Sequence, residues 1–415
     1  MAVGVVLRTA MARGQWRWPA LAMFAVGYGA NQFVPLLAVY RRTLALSDVD
    51  ATAIFGVYAL GLIPALLLSG RASDRYGRRR LLLAFTGLSV LASAVLITAQ
   101  WGAAGLYAGR LLTGVASGVV FTVGTAWIKE LSEGTSPGTG ARRSALALTA
   151  GFGIGPLVAG PLAQWATAPE VLPYLVHIAL AGIALALLSR VHEARPPRAA
   201  LQQRRKPLLP SAATSIRFRG VVAPMAVWVF GSVTLVFTTL PAHAAGPLPA
   251  LGVAFPGLLA AGALAAGLAS QRWGQRLHDT TAVHSDGRAA AVGLAVVTAG
   301  YLAAATATAH PSALGATAAA LLLGAGYGIC LIVGLRETEQ LATPGELGAL
   351  VALYYSFSYF GLAVPYLIAL VAPHVGFPQA VLLAAAATTL TLLVVLVQGR
   401  RSAPERPPAP PMTNR

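Results

Sequence analysis

Charged residues are confined to short stretches of this 415-residue chain, and the gaps between them limit what it can fold into. Asp, Glu, Lys and Arg make up 10% of the sequence and leave uncharged runs at 18–40, 51–70, 81–109, 144–169, 220–271, 289–335 and 347–399. A helix needs about 20 apolar residues to cross a bilayer core, so each run holds one or two crossings. The runs of 52, 47 and 53 residues exceed one crossing and carry turn signals near their middles, at Ala245-Gly246-Pro247, His310-Pro311 and Ala372-Pro373. Each reads as two helices joined by a hairpin. A soluble domain carries about 25% charged residues, so a soluble reading is set aside. The expected fold class is all-α integral membrane, with twelve transmembrane helices at about 18–40, 51–70, 81–99, 103–128, 144–165, 171–190, 220–243, 247–270, 288–308, 312–335, 345–370 and 376–398.

The net charge of +17 and a pI near 11.0 would suit a nucleic-acid partner, but the positions of the basic residues argue for topology instead. Arg41 and Arg42 follow span 1 and Arg110 lies inside span 4; the other basic residues fall in the amino terminus, the even-to-odd loops, the central linker and the carboxyl tail. With twelve spans these share one side, which the positive-inside rule assigns to the cytoplasm together with both termini. The partner implied is a lipid bilayer, and no nucleic acid. Cys330, the single cysteine, allows no intrachain disulfide and reads as a packing residue in span 10. The first 17 residues, with Arg8, Arg13 and Arg17, precede a run too long for a cleaved signal, so span 1 is expected to remain. Twenty-eight Arg against two Lys suggest a bacterial source, hence an inner-membrane location.

The longest polar interruption, 191–219, divides the spans six and six. The organisation expected is an amino-terminal bundle at 1–190, a cytoplasmic linker at 191–219, a carboxyl-terminal bundle at 220–398 and a disordered Pro-rich tail at 399–415. An internal repeat supports the halves. Gly70-Arg71-Ala72-Ser73-Asp74-Arg75-Tyr76-Gly77-Arg78-Arg79 after span 2 matches Gly267-Leu268-Ala269-Ser270-Gln271-Arg272-Trp273-Gly274-Gln275-Arg276 after span 8 at six of ten positions. Leu111-Leu112-Thr113-Gly114 with Gly118 and Gly124 in span 4 is echoed by Leu322-Leu323-Gly324 with Gly328 and Gly334 in span 10. Parallel repeats of six spans are a transporter architecture.

On these residues the whole chain resembles the major facilitator superfamily, and in span count the drug/proton antiporters within it. The loop Gly70-x-x-x-Asp74-Arg75-x-Gly77-Arg78-Arg79 is similar to the family's most recognisable motif. Gly70 would let helices approach closely, Gly77 would permit a tight turn, and Asp74 is an acid in a basic loop. The resemblance implies a conformational latch in which Asp74 clasps the cytoplasmic end of span 11. That end reads Thr343-Pro344-Gly345-Glu346, a helix cap with a capping-box acid whose positive pole could attract Asp74. Gln271 replaces the acid in the second copy, so the halves are not expected to lock equally.

Arg110 is the one charge inside a span core, and an intramembrane cation is a functional candidate. By resemblance it is a proton-relay or substrate-anion contact, with Gly114 and Gly118 forming a close-packing face; the alternative is an arginine that snorkels to the outer interface. Span 5 carries Gly151, Gly153, Gly155, Pro156, Gly160 and Pro161, similar to the family's antiporter motif, with Pro161 where a second glycine is frequent. A kinked packing helix is the alternative. Substrate-pathway candidates are Tyr28, Asn31 and Gln32 on span 1, Trp228, Ser232 and Thr239 on span 7, and Tyr355, Ser358 and Tyr359 on span 11, an aromatic and mildly polar set.

No Asp or Glu occurs in the middle of a span. Proton coupling would then use Arg110, a histidine such as His177, or an end-of-helix acid such as Asp48, Glu130 or Glu337. The function expected is proton-coupled export of a hydrophobic or amphipathic small molecule by a monomer, with uptake of a small anionic metabolite as the alternative. An integral-membrane enzyme is the remote one. No HExxH, GxSxG, CxxC pair or Walker loop is present. No cofactor and no metal are expected; His278, Asp279, His284 and Asp286 form the one metal-like cluster, read as a solvated turn.

Overall fold

The structure is a computed structural model, and it describes residues 14–136, 138–191, 210–246, 248, 250–281, 287–343 and 346–401. Most of the expected linker, the tail, Arg8, Arg13, Pro247, His284, Asp286, Pro344 and Gly345 lie outside these residues.

Apolar runs become helices because backbone groups in a bilayer must bond internally. Among the described residues eleven are long and apolar enough to cross a membrane: α1 (Arg17–Thr43), α2 (Asp48–Tyr76), α3 (Arg78–Trp101), α4 (Ala104–Glu130), α5 (Thr139–Trp165), α7 (Phe218–Thr238), α8 (Ala254–Thr280), α9 (Arg288–Ala309), α10 (Ala313–Leu341), α11 (Leu347–Val375) and α12 (Phe377–Arg401). The shorter apolar helix Leu172–Leu188 is α6, completing two bundles of six.

Three helices are broken, each near a proline that removes a backbone donor and crowds the preceding turn. α1 turns at Gln32 ahead of Pro35, α7 passes through Thr239 into a short helix at Leu240–Ala244 containing Pro241, and α11 turns at Gly361–Leu362 ahead of Pro365. Pro64 in α2 and Pro156 and Pro161 in α5 lie inside uninterrupted helices.

The span-4 and span-10 echoes are one contact made twice. A Cβ at Gly114 would stand 2.0 Å from the Tyr58 carbonyl oxygen, and one at Gly118 would stand 2.7 Å from that of Leu62, so α4 lies backbone to backbone on α2. In the other half, Cβ atoms at Gly324 and Gly328 would stand 2.1 and 2.0 Å from the carbonyl oxygens of Ala263 and Gly267 on α8. The first echo diverges. Gly77 has φ +92 and ends α2, whereas Gly274 is helical inside α8 and packs toward Ile329 and Ile332 of α10. Residues 70–76 likewise belong to α2, not to a loop.

The bundles meet along α2 with α11, α5 with α8, and α1 with α7 and α8. The Gln164 Oε1 at the end of α5 accepts from the Val253 and Ala254 N–H groups at the start of α8, at 2.7 and 3.2 Å. Asp48 at the start of α2 pairs with His243 after α7 at 2.7 Å and with Arg41 at 2.5 Å. These links lie on the face opposite the basic loops.

Candidate functional site

Midway between the bundles lies a cavity of about 40 Å³ walled by residues of both. α1 supplies Asn31, α2 Phe55 and Tyr58, α4 Arg110, α5 Phe152, α7 Phe230, Thr234 and Phe237, α8 Leu264, α10 Tyr327, and α11 Tyr359. The Phe230 and Tyr359 rings stack at 4.4 Å and 16°, forming a flat aromatic wall. Asn31 donates to the Phe152 carbonyl at 3.2 Å, tying broken α1 to α5 beside the cavity.

Arg110 is 1% exposed, which excludes snorkelling. Its guanidinium donates to the Ala30 carbonyl at 3.0 Å and the Phe55 carbonyl at 3.5 Å. It also lies 4.7–4.8 Å from the ring centroids of Phe33, Phe55 and Tyr58. The cation thus braces α1 at Ala30, two residues before its break, while its Nε–H is unpartnered.

Several expected pathway residues point elsewhere. Gln32 is fully buried and donates to Ser93 at 3.5 Å, and Ser93 contacts His177 Nδ1 at 2.7 Å, so this chain of polar groups serves the packing of α1, α3 and α6. Tyr28 stacks beside His177 at 6.3 Å inside that bundle. Trp228 donates to Thr391 on α12 at 3.0 Å and meets Tyr301 edge-on. Ser232 and Ser358 donate to carbonyls of their own helices, at Val229 and Tyr354, Tyr355 packs on Tyr354, and Thr239 is fully buried. Asn31 and Tyr359 alone of the expected substrate contacts reach the cavity wall. Phe55, Tyr58, Phe152, Phe230, Phe237 and Tyr327 escaped the sequence reading. Phe230, Val233, Thr234 and Phe237 recur at helical spacing, a stripe that was legible, but an all-apolar helix does not show which of its faces looks inward.

The expected latch is disengaged from α11. Asp74 is exposed and stands 3.7 Å from Arg78, which turns instead to Glu130 at the end of α4 at 2.7 Å. Arg75 lies over the Tyr76 ring at 5.2 Å. Gly70 faces open space, so it brings no helices together. The expected capping box is also absent. α11 starts at Leu347, and Glu346 accepts from the hydroxyls of Thr343 and Ser211, which hold its carboxyl below the usual carboxylate range.

The span-5 glycines divide between two neighbours. Cβ atoms at Gly151 and Gly155 would meet the α1 carbonyls of Phe24 and Tyr28 at 2.4 and 2.6 Å. Pro156 and Gly160 face α8 across the interface, where a Cβ at Gly257 would stand 2.5 Å from the Pro156 carbonyl oxygen and one at Gly160 would stand 3.3 Å from Ala254. On the basic face, buried Glu337 accepts two bonds from Arg217, at 2.8 and 2.6 Å, with His278 3.8 Å away. Among the described residues no three His, Cys, Asp or Glu gather as a metal site.

Residues 19–364 match the family model of the Major Facilitator Superfamily. The tetracycline resistance protein, class C, of Escherichia coli is 33% identical over 170 residues, 39% of this chain and 40% of that protein. The bacillibactin exporter of Bacillus subtilis strain 168 is 28% identical over 145 residues, 33% and 36% of the two chains. This chain thus spans about two fifths or less of the curated relatives it matches. The crystal structure of a POT family transporter in complex with 5-aminolevulinic acid superposes with a TM-score of 0.74 over 94% of this chain and 96% of that one, at 11% identity, a likeness of fold. With its membrane-length apolar helices and a family match over most of its length, the chain belongs to the major facilitator superfamily.

Proposed function

We propose that the protein is a proton-coupled exporter of a hydrophobic or amphipathic small molecule. It works as a monomer by alternating access in a bacterial inner membrane, with both termini and the basic face cytoplasmic. The observation that carries this reading is the cavity between the bundles, whose lining is aromatic and free of carboxylates, with a single cation held against carbonyls and rings. Apolar walls with few polar groups suit an apolar solute. The relatives named for tetracycline resistance and bacillibactin export support the outward direction.

In this reading the outer gate is made of the links from Asp48 to His243 and from Gln164 to the start of α8, and the inner latch is open, with Asp74 standing near Arg78. In the alternate state Asp74 engages α11 as the Asp48–His243 pair parts. That pair supports proton coupling, because separating the bundles leaves a carboxylate and an imidazole free to exchange protons with the outer medium. The alternative, uptake of an anion, is favoured by the unpartnered Nε–H of Arg110 at the cavity wall.

The test is transport in proteoliposomes under a pH gradient of either sign, with lipophilic fluorescent cations and neutral drugs as probes. Movement against the proton flow that an ionophore abolishes supports export. Movement of small carboxylates with the proton, and of no drug, would overturn it in favour of anion uptake.

A further inference from the structure

The cavity between the bundles stands beside a charge that no neighbour cancels. Arg110 is buried against the carbonyls of Ala30 and Phe55 and the rings of Phe33, Phe55 and Tyr58, all of them uncharged groups. Among the described residues no carboxylate pairs with it, and no Asp or Glu walls the cavity. A guanidinium stays protonated, so carbonyl and ring contacts satisfy it without removing its unit charge.

Two aromatic rings separate this charge from the cavity. Phe55 and Tyr58 both wall the cavity, and the guanidinium carbon lies 4.8 and 4.7 Å from their centroids. Allowing a contact distance of about 3.5 Å, a solute against either ring lies roughly 8 Å from the charge. At an effective dielectric constant of about 20, like charges that far apart weaken binding by roughly 30-fold. Arg110 therefore needs no contact with a solute to sort it by charge. The other bundle supplies a flat wall, the Phe230 and Tyr359 rings stacked at 4.4 Å and 16°. A volume of about 40 Å³ admits little more than water, so a solute enters as the bundles part and then lies between the two aromatic walls.

We propose that this cavity takes flat aromatic solutes that are neutral or anionic and excludes cations, with Arg110 setting the selection through its field. The selection presupposes the transport reading of the cavity as the solute site, but neither a direction nor proton coupling.

The test is calorimetric titration of the full-length protein, in a non-ionic detergent at neutral pH, with naphthoate, naphthamide and naphthylmethylammonium, which share a ring system and differ in charge. The ammonium compound is expected to bind about 30-fold more weakly than the amide, and the carboxylate at least as tightly as the amide. Asn31→Asp keeps Arg110 and sets an opposite charge on the cavity wall, so amide and ammonium affinities should come within about threefold of each other. Arg110→Gln should level them in the same way. Tyr359→Ala should weaken all three by about two- to tenfold, which places them at the stack. Ammonium binding as tight as that of the amide, a carboxylate as weak as the ammonium compound, no binding of amide or carboxylate, a preference unchanged by both charge variants, or affinities unchanged by Tyr359→Ala overturns it. Titration needs no gradient, so the two readings fail separately. Export of lipophilic cations in proteoliposomes would uphold export and overturn the charge selection, whereas the expected affinities with no outward movement of neutral drugs would uphold the selection and overturn export.

Discussion

A single methyl group at Gly114 should cost far more than its size suggests. Its carbon would stand 2.0 Å from the Tyr58 carbonyl oxygen, 3.0 Å from the carbonyl carbon and 3.1 Å from the Leu62 nitrogen, all backbone atoms that cannot rotate away. Ordinary contact begins near 3.4 Å, so α4 and α2 must part by roughly an ångström, and overpacking of this kind costs about 1–3 kcal/mol. Gly114→Ala should therefore lower the folding equilibrium constant by roughly 5- to 150-fold. Transport should fall as well, because Tyr58 lies under Arg110 and walls the cavity. The assay is reversible unfolding in mixed micelles alongside proteoliposome flux. Gly153→Ala, where the added carbon meets nothing within 4 Å, is the control and should be neutral or stabilising by up to about 1 kcal/mol. Equal stability of the two variants would refute the close-contact argument. Gly324→Ala, which meets the Ala263 carbonyl oxygen at 2.1 Å, should behave like Gly114→Ala because the repeat makes the same contact.

Asp48→Asn weakens two charge-assisted bonds at the outer gate, one of them between the bundles, and should shift the conformational equilibrium toward outward opening by about 1.5–3 kcal/mol. Spin-label distances across that face would lengthen, and an unchanged distribution would discard the gate. Arg110→Lys loses the planar contact with three rings and should destabilise the protein by about 1–2 kcal/mol, read from the same unfolding assay; parent-like stability would show that the charge alone matters. Tyr359→Ala removes the partner of Phe230 and should weaken binding of an aromatic substrate by about 0.5–1.5 kcal/mol, measured by equilibrium binding, with no change for an aliphatic one. Asp74→Asn should lower transport with little loss of protein in the membrane, and normal flux would sink the latch.

The twelve crossings were legible because a bilayer leaves an apolar run few options, and charge placement marks where each must end. The close helix contacts were legible too, since Gly114, Gly118, Gly324 and Gly328 have no other use at that spacing and each lies against a carbonyl. The function of the same letters in other settings was not. Gly77 and Gly274 occupy matching places in the repeat, yet one ends a helix and the other packs inside one, because α8 runs on past the turn position.

The pathway was the least legible part. In α7 nearly every residue is apolar, so Trp228 and Ser232 looked as fit for the pathway as Phe230 and Phe237. Tertiary packing chose between the faces, placing Trp228 against Tyr301 and Thr391 and turning Phe230 to Tyr359. The charges divide in the same way. By itself the sequence determined that Arg110 sits in a membrane helix and that Arg41 and Arg42 stand on a face with no other Lys or Arg. Only the folded structure decided that Arg110 is held against carbonyls and rings with its Nε–H left over, while Arg41 keeps two buried donors unpaired, because a side chain's partners come from helices distant in the chain.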